Sequence, residues 1–264
     1  APVVVIASGL DRERMVATFR TLRKGVVAVL AKPTVPHQWL AMADTLGQTL
    51  KHIVRTRGLD VDQVQANARE KPGQLIRNVV VGASTGGPKA LAEMLSQLGR
   101  GFAAGVAVVQ HIAPGFEGAL VQWLAAESGL DVALASDGES LRAGCVRLAL
   151  ADRHLTIDHG GRLRLDSGTP PCKGHRPSID VLFRSMVNRD AQTTAAVLLS
   201  GMGADGSLGM NELKAAGAMT IAQDEPSSAV WGMPRVAAEI GAADFVLSPV
   251  AIGRLLREAA GGDG

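Results

Sequence analysis

Apolar and polar positions alternate along this chain in two periods. Short, largely apolar runs recur at residues 79–81, 104–109, 132–133, 145–149, 195–199, 218–222 and 245–247. Each is brief enough for a strand covered on both faces. Between most of them lie longer stretches with apolar residues three and four apart, as at Leu91, Met94, Leu95 and Leu98 within 89–98. Strand and helix patterns that alternate in this way predict a doubly wound, mainly parallel α/β sheet. One segment departs from the rule. Residues 154–165 alternate apolar and polar about Gly160-Gly161, which predicts an antiparallel β-hairpin inserted at the sheet edge.

The front of the chain repeats the pattern on a smaller scale. Residues 2–8 predict a buried strand, 11–24 a helix, 26–31 a second strand ending at Lys32-Pro33, and 39–54 another amphipathic helix. About 54 residues are too few to bury a proper core unaided, so this partial α/β piece either lacks a portion on its N-terminal side or docks on the rest. Residues 55–74 are polar, with Lys-Pro-Gly and few large apolar side chains, and predict a linker. The expected organisation is a front piece over 1–54, a linker over 55–74 and a main domain over 75–264.

Composition narrows the field. A chain of 264 residues with 47% hydrophobic content supplies a real core, and a formal charge of +2 with scattered Lys and Arg marks no nucleic-acid surface. No apolar run approaches a membrane span and no signal peptide stands at the start, so the cytoplasm is the expected compartment, without membrane insertion. Cys145 and Cys172 have no metal or redox spacing and are expected to be free thiols. His154, His159 and His175 show no convincing metal-ligand spacing either.

In open α/β sheets chemistry collects at the C-terminal ends of strands, and three reactive groups fall there. Ser84 lies in Gly82-Ala83-Ser84-Thr85-Gly86-Gly87, a glycine-rich turn followed by Pro88 at a helix start. The turn fits a nucleophile elbow, and it equally fits a phosphate cradle. His111 follows Val106-Ala107-Val108-Val109, and Asp205 sits in a glycine-rich loop after Val197-Leu198-Leu199. Serine needs a base to take its proton, imidazole titrates near neutrality, and a carboxylate orients the imidazole. Together the three predict nucleophilic hydrolysis, in a chain order, Ser then His then Asp, that differs from the α/β-hydrolase order. Singly, His111 also fits a capping or core role and Asp205 an Asp-Gly turn. Arg176, in Gly174-His175-Arg176-Pro177-Ser178-Ile179-Asp180, could meet a carboxylate or a substrate carbonyl, or stand exposed, with Ser178 as N-cap of the following helix. Asp152, Asp158 and Asp166 suit solvated turns, and Trp123 and Trp231 suit core or cleft wall.

With these residues assembled, the chain closely resembles the CheB family of chemotaxis-type protein-glutamate methylesterases. The motifs around Ser84, His111, Arg176 and Asp205, together with Ala222-Gln223-Asp224-Glu225 and Gly232-Met233-Pro234, occur in the family's order. The resemblance implies that Ser84 is the nucleophile, His111 the general base and acid, and Asp205 the orienting carboxylate, with Thr85 beside the imidazole and the Met202 region giving an oxyanion N–H. It implies γ-glutamyl methyl esters on chemoreceptor cytoplasmic helices as substrate, glutamine deamidation as a second activity, and no metal or organic cofactor. Two rivals stand beside it: an esterase serving another sensory pathway, and an inactive regulatory module whose glycine loop grips an anion or partner helix.

The front piece resembles the later half of a receiver domain, with Ser8 and Lys32-Pro33 placed as receivers place their switch hydroxyl and phosphate-contacting lysine. Such a receiver would link the protein to a chemotaxis histidine kinase. The strands carrying the acidic pair and phosphoacceptor are absent from this sequence, and Val29 stands where an aromatic is often found. The expectation is an unregulated, open enzyme whose esterase rate stays constant when a phosphodonor is added; a rise in rate would contradict it.

Overall fold

The computed structural model describes residues 3–7, 12–33, 39, 42–44, 46–47, 49–51 and 74–261. At the front, β1 (Val3–Ala7) and β2 (Val26–Ala31) pair in parallel around α1 (Arg12–Arg20) and a 3-10 turn (Thr21–Lys24). The predicted helix over 39–54 is helical at the described positions through 51, and Ser8 and nearly all of the predicted linker lie outside the described residues.

The main sheet has seven strands: β3 (Asn78–Ala83), β4 (Gly105–Gln110), β5 (Asp131–Leu134), β6 (Cys145–Leu148), β9 (Thr194–Leu198), β10 (Met219–Gln223) and β11 (Phe245–Leu247). Their order is β11-β10-β9-β3-β4-β6-β5, and every pairing is parallel. From the central β3 the chain winds outward through β4 on one side and later through β9 on the other. The carboxyl ends of β3, β4 and β9 therefore open onto a crevice where the winding reverses.

Successive side chains on a strand point to opposite faces, so a run of apolar residues feeds two cores at once. Val79, Val81 and Ala83 face one core while Val80 faces the other; on β4, Val106 and Val108 part from Ala107 and Val109 in the same way. The first face is covered by α2 (Gly87–Leu95), α3 (Glu117–Ser128) and α7 (Pro249–Ala259), through residues such as Leu91, Met94, Leu120 and Leu256. The second is covered by α4 (Ile179–Arg184), α5 (Ser207–Ala215) and α6 (Met233–Glu239), through Ile179, Phe183, Met210 and Ala237.

The hairpin exists, as β7 (His154–Ile157) and β8 (Leu163–Asp166), but it is a separate two-stranded sheet instead of an addition to the edge. Its apolar side, Leu155, Ile157 and Leu163, belongs to the second core with α4, and the Ile157 amide donates to Ser185 Oγ at 3.1 Å. A strand pair with one apolar face gains more by covering a hydrophobic sheet face than by extending a ladder with that face in water.

The front piece docks on the main domain. Met15, Val16, Phe19, Leu22 and Val26 share the first core with α2 and α3, the Phe19 ring stacks on Trp123 with centroids 5.8 Å apart, and Arg23 pairs with Glu127. This is the second of the two solutions expected for so small a unit. Since Phe19 is 1% exposed, Phe19→Ala is expected to cost about 3–5 kcal/mol in urea denaturation followed by tryptophan fluorescence. A cost below about 1 kcal/mol would mean that the interface adds nothing to stability.

Candidate active site

The turn after β3 is built for close approach. Gly86 has φ +80, and a Cβ there would lie 2.4 Å from Ala229 Cβ, so the turn from Ser84 into α2 needs a residue without a side chain. The Ser84 amide donates to the Ser200 carbonyl at 3.0 Å, the Ser84 carbonyl accepts from Gly87 N–H at 2.8 Å, and Ser200 Oγ donates to the Thr85 carbonyl at 2.7 Å. On the other side, buried Gln110 donates through Nε2 to the carbonyls of both Ser84, at 2.9 Å, and His111, at 2.8 Å. The elbow is thus tied to the ends of β4 and β9, and Ser84 stays half-buried instead of covered.

The loop after β9 comes against the serine from the side. A Cβ on Gly201 would lie 2.6 Å from Ser84 Cβ and 2.7 Å from Met233 Cε, so only glycine lets this backbone pass. Its carbonyl accepts from Gly232 N–H at 3.1 Å and Met233 N–H at 2.9 Å, which fixes the segment leading into Met202. Among the described residues, the amides of Thr85 and Met202 donate no hydrogen bond.

Asp205 is 4% exposed and fully engaged. Its Oδ2 meets His111 Nε2 at 3.0 Å and accepts from the Ile179 amide at 2.8 Å; its Oδ1 accepts from Ser178 Oγ at 2.9 Å and the Asp180 amide at 3.1 Å. Burial alone would raise the carboxyl's pKa, but the hydrogen bonds from His111 and the two amides outweigh it and hold the group far below the ordinary carboxylate range. The favour is returned. Asp180, wholly buried on α4, accepts at Oδ1 from Gly206 N–H at 3.0 Å and Gly209 N–H at 2.8 Å, where α5 begins, and at Oδ2 from Lys173 Nζ at 2.9 Å. Each aspartate occupies the start of the other's helix. Ser178, expected to cap α4, has the extended backbone of a cap but spends its hydroxyl on Asp205.

The remaining candidates fall into place around this group. Ser84, Thr85 and His111 line one cavity of about 100 Å³, whose opposite wall is Phe19, Val29 and Leu30 of the front piece. That is small beside the 300–1,000 Å³ of ordinary ligand pockets, and it corrects the expectation of an open site. Among the described residues Ser84 Oγ makes no hydrogen bond to His111. Since Nε2 of His111 is bonded to Asp205, Nδ1 is the nitrogen left to act as base. Arg176 meets a carboxylate of the protein itself: Nε and Nη2 bind Asp152 Oδ1 at 3.0 and 2.8 Å, while Nη1 donates to the carbonyls of Ser167 and Thr169. His154 is structural, with Nδ1 accepting from the Ser178 amide at 3.2 Å and Nε2 donating to the Pro170 carbonyl at 3.1 Å, so it has no nitrogen left for the Ser178 hydroxyl. Both cysteines are free, and among the described residues no group of His, Cys, Asp and Glu could hold a metal ion.

Sequence reasoning passed over two members of the site. His175 was weighed only as a metal ligand, yet its ring lies flat on that of His111, with centroids 4.3 Å apart and planes 6° from parallel. Gln110, between the β4 run and His111, has no role in the sequence reading. Stacking between loops leaves no periodic trace, but a glutamine among buried strand residues is a signal, because its amide must find partners.

Comparison with known proteins places the chain among relatives of one family. Residues 79–256 match the family model described as CheB methylesterase. A protein-glutamate methylesterase/protein-glutamine glutaminase of Anaeromyxobacter dehalogenans is 44% identical over 254 residues, covering 92% of this chain and 71% of that protein. The protein-glutamate methylesterase FrzG of Myxococcus xanthus is 38% identical over 243 residues, covering 91% and 72%. The crystal structure of the Thermotoga maritima CheB methylesterase catalytic domain superposes with a TM-score of 0.67 at 36% identity, over 69% of this chain and 98% of that one.

The depressed pKa of Asp205 has a consequence for stability. The folded-state value lies below the unfolded value of about 3.9, so the contribution is fully present above that pH and is lost as pH falls toward the folded value. Asp205→Asn cannot accept from all four donors, and its stability deficit against the parent, read from urea midpoints, is expected to be large at pH 6 and to narrow steadily below pH 4. A deficit independent of pH would mean that the carboxyl is not held ionised by the fold.

Proposed function

The chain belongs to the CheB methylesterase family, and on that footing we propose that it hydrolyses glutamate γ-methyl esters, and deamidates particular glutamines, on the cytoplasmic helices of methyl-accepting chemoreceptors. Ser84 is the nucleophile, His111 the base and then the acid, and Asp205 the group that orients His111. One observation carries the assignment: the His111–Asp205 bond engages Nε2 and leaves Nδ1 as the nitrogen available for a proton, on a residue that lines the same cavity as Ser84.

Ser84 Oγ attacks the γ-carbonyl carbon as His111 Nδ1 takes its proton. The oxyanion that forms is met by the Thr85 and Met202 amides, each good donor being worth about 3–4 kcal/mol of barrier. As the tetrahedral species collapses, the proton on Nδ1 passes to the departing oxygen and methanol leaves; from an amide, nitrogen takes it and ammonia leaves. Water then attacks the acyl-serine, giving its proton to Nδ1, and glutamate is released with Ser84 regenerated. Asp205 stays ionised throughout and stabilises the imidazolium, which its four donors make possible.

Residues 1–54 form a partial receiver-like piece in this reading, tied to a chemotaxis histidine kinase only through a receiver that carries the phosphoacceptor these residues lack, residues 55–74 a linker and residues 75–264 the catalytic domain. A family match that begins at residue 79 supports the division. The receptor helices named as substrate set the working compartment as the cytoplasm, and among the described residues no helix is long and apolar enough to cross a membrane.

Ser84→Ala is expected to reduce methanol release from a methylated receptor fragment to background, with a thermal midpoint within about 2 °C of the parent because the turn's glycines and anchors are untouched. Turnover that survives the substitution would refute the assignment.

A further inference from the structure

We propose that His175 is a positioning residue for His111, its flat-stacked ring holding the base in plane and its protonation shutting the base off. This rests on the esterase reading above. A single hydrogen bond from Nε2 to Asp205 fixes one point of the His111 ring but leaves it free to swing about that contact. A second ring 4.3 Å away and only 6° from parallel removes that freedom.

The support is itself firmly mounted. His175 and Cys172 exchange backbone hydrogen bonds at 2.9 and 3.0 Å around a tight turn in which Lys173 and Gly174 both have positive φ. The next residue, Arg176, is the one clamped to Asp152 and to the carbonyls of Ser167 and Thr169. Arg176 therefore acts as a strut for the loop that carries His175. Among the described residues no hydrogen bond engages the ring nitrogens of His175, so the ring is present for its face and its charge.

The charge matters because His111 becomes an imidazolium during turnover. A neutral ring face attracts that cation, whereas a protonated His175 repels it. The groups that face His175 are His111, on the loop after β4, and Asp205, on the loop between β9 and α5. Its own loop carries Cys172, Lys173 and Arg176, the last two engaged by Asp180 and Asp152. Burial and the neighbouring His111 lower the pKa of His175 against an opposing pull from Asp205, which keeps the ring neutral at neutral pH. It charges only below the ordinary imidazole range, on the acid side of the profile. Two like charges at this separation would slow proton uptake by His111 by about tenfold or more, even allowing for solvent screening.

The test is kcat/KM for methanol release from a methylated receptor fragment between pH 5 and 8.5, in the parent, His175→Phe and His175→Ala, with thermal melts confirming that each is folded. In the parent the acid limb should steepen toward a dependence on two protons. His175→Phe keeps a flat ring and should give a one-proton limb. His175→Ala should also give one proton and lower the plateau by about two- to tenfold, the strength of one aromatic pair. Imidazole NMR in the Ser84→Ala background gives a readout independent of turnover: adding His175→Ala should move the His111 ring-proton resonances downfield at about pH 8, as the stacked ring face is lost. The inference is overturned if the His175→Phe limb superimposes on the parent's, if His175→Ala keeps the parent's plateau, or if His175→Ala leaves the His111 ring-proton resonances unmoved. Methanol release by Ser84→Ala itself would bring down the esterase assignment instead. An inactive Ser84→Ala with unchanged His175 variants would leave that assignment standing and remove only the role given to His175.

Discussion

The site depends on an exchange of carboxylates. Asp205 lies against the amides that open α4, and Asp180, the second residue of α4, lies against the amides that open α5, the helix that follows Asp205 in the chain. A buried carboxylate without partners would neutralise itself by binding a proton. Here both are partnered by N–H groups that a helix start leaves unbonded in any case, and Asp205 is held ionised by them. The two loops thereby fix one another, and the His111 ring is referred to a carboxylate that cannot shift without unseating two helices. Neutralising Asp205 would remove a charge and loosen the frame at once.

Much of this was legible in the sequence, for reasons that can be named. The runs at 79–81, 104–109 and 195–199 are apolar on both faces because β3, β4 and β9 are buried on both faces, so their existence, and the reactive residues just beyond their ends, could be read directly. The expected boundaries of these runs differ from the observed ones by one or two residues at each end. Pairing partners were less visible. The hairpin's alternation correctly marked it as antiparallel, but alternation records only that one side is buried, not what buries it, and the edge placement failed there.

The other misses share a cause. Ser178 at a helix start fits an N-cap on local grounds, yet a charged acceptor 27 residues away in the chain competes for its hydroxyl and wins, as charge-assisted hydrogen bonds do. Arg176 had three readings by type, and the deciding partner, Asp152, lies on a loop that only the folded hairpin brings near. The stack of His175 on His111 joins two loops by ring faces alone. Such contacts depend on tertiary placement, and spacing along the chain carries no record of them.

Gln110 draws the site together in one further respect. Its amide group holds the carbonyl of Ser84 with one hydrogen and that of His111 with the other, while its oxygen lies against Gly87 with no hydrogen-bond partner among the described residues. The attacking residue and its base are thus coupled through the side chain of a third residue that touches neither reacting atom. If the end of β4 moves, the serine turn moves with it, so the separation between Ser84 and His111 is an internal dimension of one rigid piece. Any opening of the cleft must then come from parts outside that piece, such as the walls formed by Phe19, Val29 and Leu30, whose parting would cost their packing on the main domain but leave unchanged the distance across which the proton travels.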